Sequence, residues 1–286
     1  MASLREIKRR IGSVQNTAKI THAMELVAAA KMKRAQDLAN SGKPYSQLVN
    51  GLIRSIANSI DPSAHPLLTQ NEGPKSLILV FSTDRGLAGP LNSNLFREIE
   101  KFSTDVRYVS LGKKSRQFLV KTGRELVADF TLTERPDLAS CRPVSKLLID
   151  GFLNGDFDQA HVLYTEFIST LRQVAAVKQL LPIIDKEILE ELIKEAEEDF
   201  RLEPLFEPGA DTVLAEILPQ YILMEVYQIM LETKASEHSA RMVSMKNATD
   251  AADELSEDLT LAYNGLRQEA ITKEILDIST AAIALE

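Results

Sequence analysis

Apolar residues near the start of the chain recur at 3-4-3-4 spacing: Leu4, Ile7, Ile11, Val14 and Ala18. That is the seam of a coiled-coil helix. Ser3 and Glu6 fit a capping box in front of it. The following stretch, ITHAMELVAAAKMKRAQ (20–36), has no Gly, Pro or aromatic residue, and its apolar positions are too spread for one stripe. It predicts a helix with apolar surface beyond what one partner helix covers. Gly12 is tolerable within it at roughly 1 kcal/mol. Gly42 and Pro44 are the next breakers, and helical pattern resumes to Ile60 before DPSAHP (61–66) ends it.

The other end mirrors the first. After Pro219, the last proline, residues 220–286 contain a single glycine, Gly265. One helix of that length has a contour of about 100 Å. Ala252, Leu255, Leu259, Ala262 and Leu266 suggest a seam, followed after a five-residue step by Ile271, Ile275, Ile278, Ala282 and Leu285. The slip falls around Arg267 and Gln268 and rotates the apolar stripe there, so these two side chains are candidates to face a partner.

Between the ends the period changes. SLILVFS (76–82) is a continuous apolar run, expected of a buried strand. The loop TDRGLAGP and a helical stretch from Leu91 to Phe102 follow. RYVSLG (107–112), a helical 113–122, and strands in AHVLYTEFIS (160–169) and RQVAAVKQLLPI (172–183) complete an alternation that predicts an α/β domain. Residues 186–216 carry eleven acids against Lys186, Lys194 and Arg201 and read as a solvated segment. The predicted division is a coiled-coil helix at 1–60, an α/β domain at 70–218 and a coiled-coil helix at 220–286.

Charge sharpens this picture. Residues 1–36 hold Arg5, Lys8, Arg9, Arg10, Lys19, Lys31, Lys33 and Arg34 against Glu6 and Glu25, while residues 250–286 hold nine acids against Arg267 and Lys273. The ends therefore attract each other. A net charge of −8 argues against a nucleic-acid binder. Cys141 is the only cysteine, which excludes an intrachain disulfide and fits a reducing compartment. No apolar run reaches about 18 residues, so no direct membrane span is expected. The start lacks a signal-peptide core, and its basic pattern runs on without the break of a cleaved presequence.

Candidate chemistry is sparse. The turn Asp84–Gly89 follows a strand and precedes a helix, where dinucleotides bind. Yet Gly86 and Gly89 make only G-x-x-G, neither a dinucleotide fingerprint nor a Walker loop. His22, His65, His161 and His238 lie far apart, without ligand partners at helical spacing, and His238 is expected on a helix surface. No nucleophile motif is present. Asp253 with Glu254 and Glu257 with Asp258 read as a solvated helix face. No catalytic, cofactor-binding or metal-binding residue is assigned.

The chain resembles the γ subunit of F-type ATP synthases over essentially its whole length. The resemblance rests on MASLREIKRRIGSVQNTAKITHAMELVAAAKMKRA, DRGLAGPLN, EVYQ, ASEHSARMVSMKNATDAADEL and YNGLRQEAITKEILDI, in this order. It implies an α plus α/β protein: a long antiparallel two-helix coiled coil, made by the two chain ends, and a central Rossmann-like α/β domain. It implies a central rotor shaft, non-catalytic and without a cofactor. The shaft would couple ion-driven rotation of a membrane c ring to conformational change in a ring of α and β subunits. One copy per complex would lie beside the ε subunit, on the cytoplasmic face of a bacterial inner membrane. Matching positions imply that Arg267 and Gln268 meet a β-subunit loop and that Met24 faces a β-subunit lever. Thr272, Glu274 and Asp277 fall in the C-terminal signature, which departs from the family at Ala281, and Glu207 falls in a foot region near the c ring. The charges of Lys8, Arg9 and Arg10 would guide the ring. Lone Cys141 cannot make a chloroplast-type thiol switch. The competing readings are a nucleotide-binding α/β enzyme using the Asp84–Gly89 turn and a static coiled-coil scaffold.

Overall fold

The computed structural model describes residues 3–57, 65–69, 73–103, 106–183 and 209–283. Helix α1 spans Leu4–Ala57 without interruption. Its first turn is capped by the Ser3 hydroxyl, which accepts the Glu6 backbone N–H at 3.3 Å. Gly42 and Pro44 do not break it. Exposed Pro44 gives up one helical hydrogen bond on a face that water reaches. Along α1, Leu4, Ile7, Ile11, Val14, Ala18, Thr21, Glu25, Ala28, Met32 and Ala35 form a buried or half-buried stripe at 3-4 spacing, with Gly12, Met24, Ala29, Lys31 and Gln36 half-buried beside it. The spacing predicted from Leu4 to Ala18 is therefore kept to Ala35.

The sheet follows in five strands: β1 (Ser76–Phe81), β2 (Arg107–Leu111), β3 (Leu126–Phe130), β4 (Gln159–Phe167) and β5 (Gln173–Leu181). Helices α2 (Leu91–Glu100), α3 (Lys113–Lys121) and α4 (Leu138–Leu153) alternate with the first four strands. The spatial order is β3-β2-β1-β4-β5. All neighbours are parallel except β4 and β5, which form an antiparallel pair. β3 and α4 occupy a stretch, 123–159, where the sequence reading placed no element. β3, LVADF, alternates half-buried and exposed positions at a sheet edge, and Asp129 interrupts its short apolar run. α4 opens with a capping box between Asp137 and Ser140 and carries Pro143 internally.

Helix α5 spans Ala210–Ile283, 74 residues through Pro219. It begins ten residues before the sequence reading placed it. The chain divides into two compact units, Met1–Ala29 with Arg241–Glu286, and Ala30–Ala240.

In the second unit both sheet faces are covered, and this explains the unbroken apolar run of β1. Leu77, Leu79 and Phe81 join a cluster with Cys141, Val144 and Leu148 of α4 and Leu218, Ile222 and Val226 of α5. Ile78 and Val80 turn the other way, to Leu95 and Ile99 of α2 and Leu119 of α3. Strand alternation thus feeds two cores, one per face. Gly112 lets β2 turn into α3: its φ is +105°, and a Cβ there would run into the Ser82 carbonyl oxygen.

Candidate partner-binding surfaces

In the first unit, residues of α1 and α5 bury one face of each helix. The Thr21 and Thr249 hydroxyls share a hydrogen bond of 2.7 Å across the pair. Ile7, Ala18 and Ala28 are buried on α1, and Met245, Ala252 and Ser256 on α5. From Met245 onward a buried or half-buried stripe of α5 runs Met245, Thr249, Ala252, Ser256, Leu259, Tyr263 and Leu266, spaced 4-3-4-3-4-3, with Ala248 and Asn264 half-buried beside it. This corrects the sequence reading, which put Leu255 and Ala262 in the seam. Leu255 is 44% exposed and Ala262 is also exposed. The helix offers small Ser256 inward instead, and small residues let two helices approach closely. Apolarity alone chose the wrong neighbour by one position.

The second half of the predicted seam is not buried at all. Every residue from Arg267 to Ala281 is exposed, including Ile271, Ile275, Leu276 and Ile278. The slip read at Arg267 and Gln268 is the end of the seam rather than a rotation of it. On α1, Ile20, Leu26 and Val27 are exposed, as expected for a segment with apolar surface to spare.

Of the candidate contact residues, Lys8, Arg9, Arg10, Arg267, Gln268, Thr272, Glu274 and Asp277 are exposed and Met24 is half-buried. The Thr272 hydroxyl donates to the Gln268 carbonyl oxygen at 2.9 Å, which turns it back along its own helix. Glu274 and Asp277 share a helix face with Lys273 and Ile278. Among the described residues no hydrogen bond or ion pair joins the basic group of α1 to this acidic group. Glu207 lies outside the described residues.

The Asp84–Gly89 turn is tied to the protein itself. Leu87 and Gly89 have positive φ, 63° and 57°. The Asp84 carboxylate accepts the Lys113 backbone N–H at 2.9 Å, at the start of α3. Thr83 donates to the Arg85 carbonyl oxygen and accepts from the Asn92 amide. Parallel strands in this order switch direction of connection between β1 and β4, the place where such sheets bind ligands. Beside it, Ala240 of α5 packs on Ala88 and Leu91. The Asp84 carboxylate thus caps the start of α3, not that of α2, into which the turn leads.

The sequence reading also misplaced the middle of α5. Residues 233–240, TKASEHSA, are buried at all eight positions, His238 among them. His238 is therefore not on a helix surface: neighbouring elements surround the helix here. Lys234 and Glu237 are 6% and 5% exposed and pair at 3.0 Å. Glu232 accepts the Phe167 backbone N–H at 3.1 Å. Ser236 donates to the Thr165 carbonyl oxygen at 2.9 Å, and Ser239 to that of Thr170 at 2.8 Å. The signal was in the sequence: a run of polar residues with no exposed-face period. Nearby, Lys31 of α1 pairs with Glu134. That cation, first through its hydrogen bond, holds the Glu134 carboxyl below its usual range, with Arg85 and His238 adding to it. A cleft of about 830 Å³ opens beside this pair, lined by Arg34, Leu38, Leu231 and His238 among others.

Among the described residues no group of three or more His, Cys, Asp or Glu is placed to hold a metal ion. No described helix is long and apolar enough to cross a membrane.

Comparison with known proteins gives a consistent picture. The family described as ATP synthase matches residues 3–285. The ATP synthase gamma chain of Opitutus terrae is 42% identical over 291 residues, 99% of each chain. That of Methylacidiphilum infernorum is 43% identical over the full length of both. Among solved structures, a rotor chain of the Euglena gracilis mitochondrial ATP synthase superposes with a TM-score of 0.64 at 17% identity, covering 94% of this chain and 98% of that one. A chain from the OSCP/F1/c-ring structure of the same enzyme gives 0.68 at 17% identity, covering 99% and 94%. At that identity the likeness speaks for the fold.

Proposed function

Since the chain belongs to the ATP synthase gamma-chain family, we propose that it is the central rotor shaft of such a complex, present in one copy. It couples ion-driven rotation of the c ring to conformational change in the ring of α and β subunits. In this reading residues 1–60 and 220–286 form an antiparallel coiled-coil shaft, and 70–218 a Rossmann-like body beside the ε subunit. The chain itself has no catalytic centre. It sits peripherally, on the cytoplasmic face of a bacterial inner membrane.

One observation carries the reading: a helix pair whose seam ends where one helix ends, leaving the other bare and apolar. Thr21 meets Thr249. From Thr21 back to Leu4, and from Thr249 on to Leu266, the seam runs seventeen residues in each case. That match supports antiparallel pairing, with α5 continuing past the start of α1 as an unpaired apolar helix. Such a surface is costly in water and calls for a cover. A surrounding ring supplies one. Lys8, Arg9, Arg10, Met24, Arg267, Gln268, Thr272, Glu274 and Asp277 are then ring contacts, and Glu207 is a foot contact.

Coupling follows from differential contact. A ligand shifts a conformational equilibrium only by its difference in affinity for the two states. A shaft with Ile271, Ile275 and Ile278 among acids and Arg267 offers different chemistry in different directions. Three identical neighbours around it therefore feel three different surfaces, and turning the shaft exchanges those surfaces.

The test is reconstitution with α and β subunits. The ring is fixed to a surface and a bead is attached to the body of this chain. The reading expects ATP-driven rotation of the bead and no ATP turnover by the chain alone. A motionless bead on an ATP-hydrolysing ring would leave the static scaffold as the better account.

A further inference from the structure

Between residues 210 and 240, α5 is held to the sheet unit in two different ways. From Leu214 to Met230 the contacts are apolar: Leu214, Leu218, Ile222, Leu223, Val226, Ile229 and Met230 join the main core cluster. From Glu232 to Ser239 they become polar and directional. Glu232, Ser236 and Ser239 share one helix face at i, i+4 and i+7. All three bond to the β4–β5 hairpin: to the Phe167 N–H, the Thr165 carbonyl and the Thr170 carbonyl. Gln173 adds a fourth bond, donating to the Ser239 hydroxyl at 3.3 Å.

The hairpin end is itself braced. Ile168 and Ser169 donate to the Arg172 carbonyl oxygen, and Arg172 donates back to Ser169. The Gln173 amide also donates to the carbonyl oxygens of Ser169 and Thr170. The helix is thus bonded to a stiff corner, not to a loose loop.

We infer that Glu232, Ser236 and Ser239 are a torsional latch that fixes the rotation of α5 against the β4–β5 hairpin. Apolar side chains resist separation but sliding costs them little, because their attraction has no preferred direction. Hydrogen bonds weaken steeply when their angle is lost. Four of them on one face therefore oppose a turn of the helix about its own axis. The inference rests on the shaft reading above, and it names the residues through which twist passes between the long helix and the sheet.

The experiment uses the complete complex, with the ring fixed and nucleotide withheld. A bead is attached through Lys121→Cys at the exposed end of α3, and the variance of its angle measures torsional stiffness. The variant Glu232→Met, Ser236→Ala, Ser239→Ala removes the latch. Glu232→Gln keeps an acceptor for the Phe167 N–H and is the conservative control. The latch predicts a rise of about twofold in angular variance for the triple variant, since directional bonds give way to non-directional contact. Glu232→Gln should match the parent. Should the triple variant not assemble, Ser236→Ala alone still removes one bond and should raise the variance in part. Unchanged variance in an assembled triple variant, or in Ser236→Ala, overturns the latch. Absence of ATP-driven rotation in the parent complex overturns the shaft reading instead, so the two failures are distinct.

Discussion

Ile275 and Ile278 test directly whether the bare end of α5 is covered by a partner. They are 61% and 64% exposed in the isolated chain. Replacing Ile by Ala removes three carbons, worth about 2.4 kcal/mol when fully buried at ~0.8 kcal/mol per CH₂. Scaled by the exposed fraction, each side chain has about 1.5 kcal/mol still to gain from a partner. The double variant Ile275→Ala, Ile278→Ala should therefore weaken binding to a ring of α and β subunits by about 3 kcal/mol, or roughly 150-fold in Kd. The chain alone should hardly notice. Exposed substitutions shift stability by about 0.5 kcal/mol or less, and Ala favours helix slightly over Ile. Two measurements decide it: thermal melting of the isolated chain, and titration of the labelled chain into the ring. An unchanged Kd would refute the argument that this face is covered. A melting loss on the scale of a core cavity, about 2–5 kcal/mol per site, would show that these residues were packed inside the chain all along.

Changing Arg267 and Gln268 together to Ala should lower ATP synthesis in reconstituted vesicles while leaving the melting curve of the chain in place; full synthesis would remove both from the coupling surface. Lys234→Met takes away a cation 3.0 Å from the Glu237 carboxylate, which is only 5% exposed. Breaking a buried pair from one side should cost about 3–5 kcal/mol, read as a drop in urea midpoint. Cys141 supplies a pH signature. Burial pushes its thiol up to about 11 from an ordinary 9.0, so above pH 9 the unfolded thiol ionises while the native one does not. Its contribution to stability is complete below pH 9 and is lost towards pH 11, with a slope of about 1.4 kcal/mol per pH unit. Urea midpoints of the parent and of Cys141→Ala, measured from pH 8 to 11, should converge as pH rises.

Much of the architecture is legible in the sequence because it repeats. The seam from Leu4 to Ala18 and the strands around 76–82 and 107–112 follow directly from apolar spacing. The losses have physical causes. Edge strand β3 buries no side chain fully, and its apolar run, Leu126 to Ala128, is only three residues long. Pro44 and Pro219 look like breakers, yet a long helix held by neighbours absorbs one missing bond. Leu255 outranks Ser256 in the pattern because apolar spacing favours the larger apolar residue, while a close pair of helices favours the smaller. His238 reads as a surface residue because histidine on a polar helix usually is. Nothing local reveals that α1, the loop at Glu134 and the β4–β5 hairpin all converge on that turn. Arg267 and Gln268 stand out by the slip in spacing, Thr272, Glu274 and Asp277 are candidates by resemblance alone, and the exposure of all five is what the structure adds.

Along α5, surroundings change while the backbone does not. Residues 233–240 are enclosed on every side, 245–266 are covered along one stripe, and 267–281 are bare. A helix stabilised only by its own hydrogen bonds is marginal in water, so the bare end depends on what precedes it for direction and on a partner for cover. The enclosed turn is polar and bonded in fixed directions, which suits a place where rotation must not slip. The striped length is small-sided, with Ala252 and Ser256 inward, which suits two helices that must stay slim. The bare end mixes Ile271, Ile275 and Ile278 with Glu274 and Asp277, which suits a surface felt differently by successive neighbours. Each segment would be a poor choice in either of the other two positions: a polar turn without isoleucines at the tip would offer a partner little apolar surface, and the tip's mixture of isoleucines with Glu274 and Asp277, enclosed in the body, would bury charge. The order of the three along one continuous helix is therefore itself an argument for a part that takes up twist at one end and delivers it at the other.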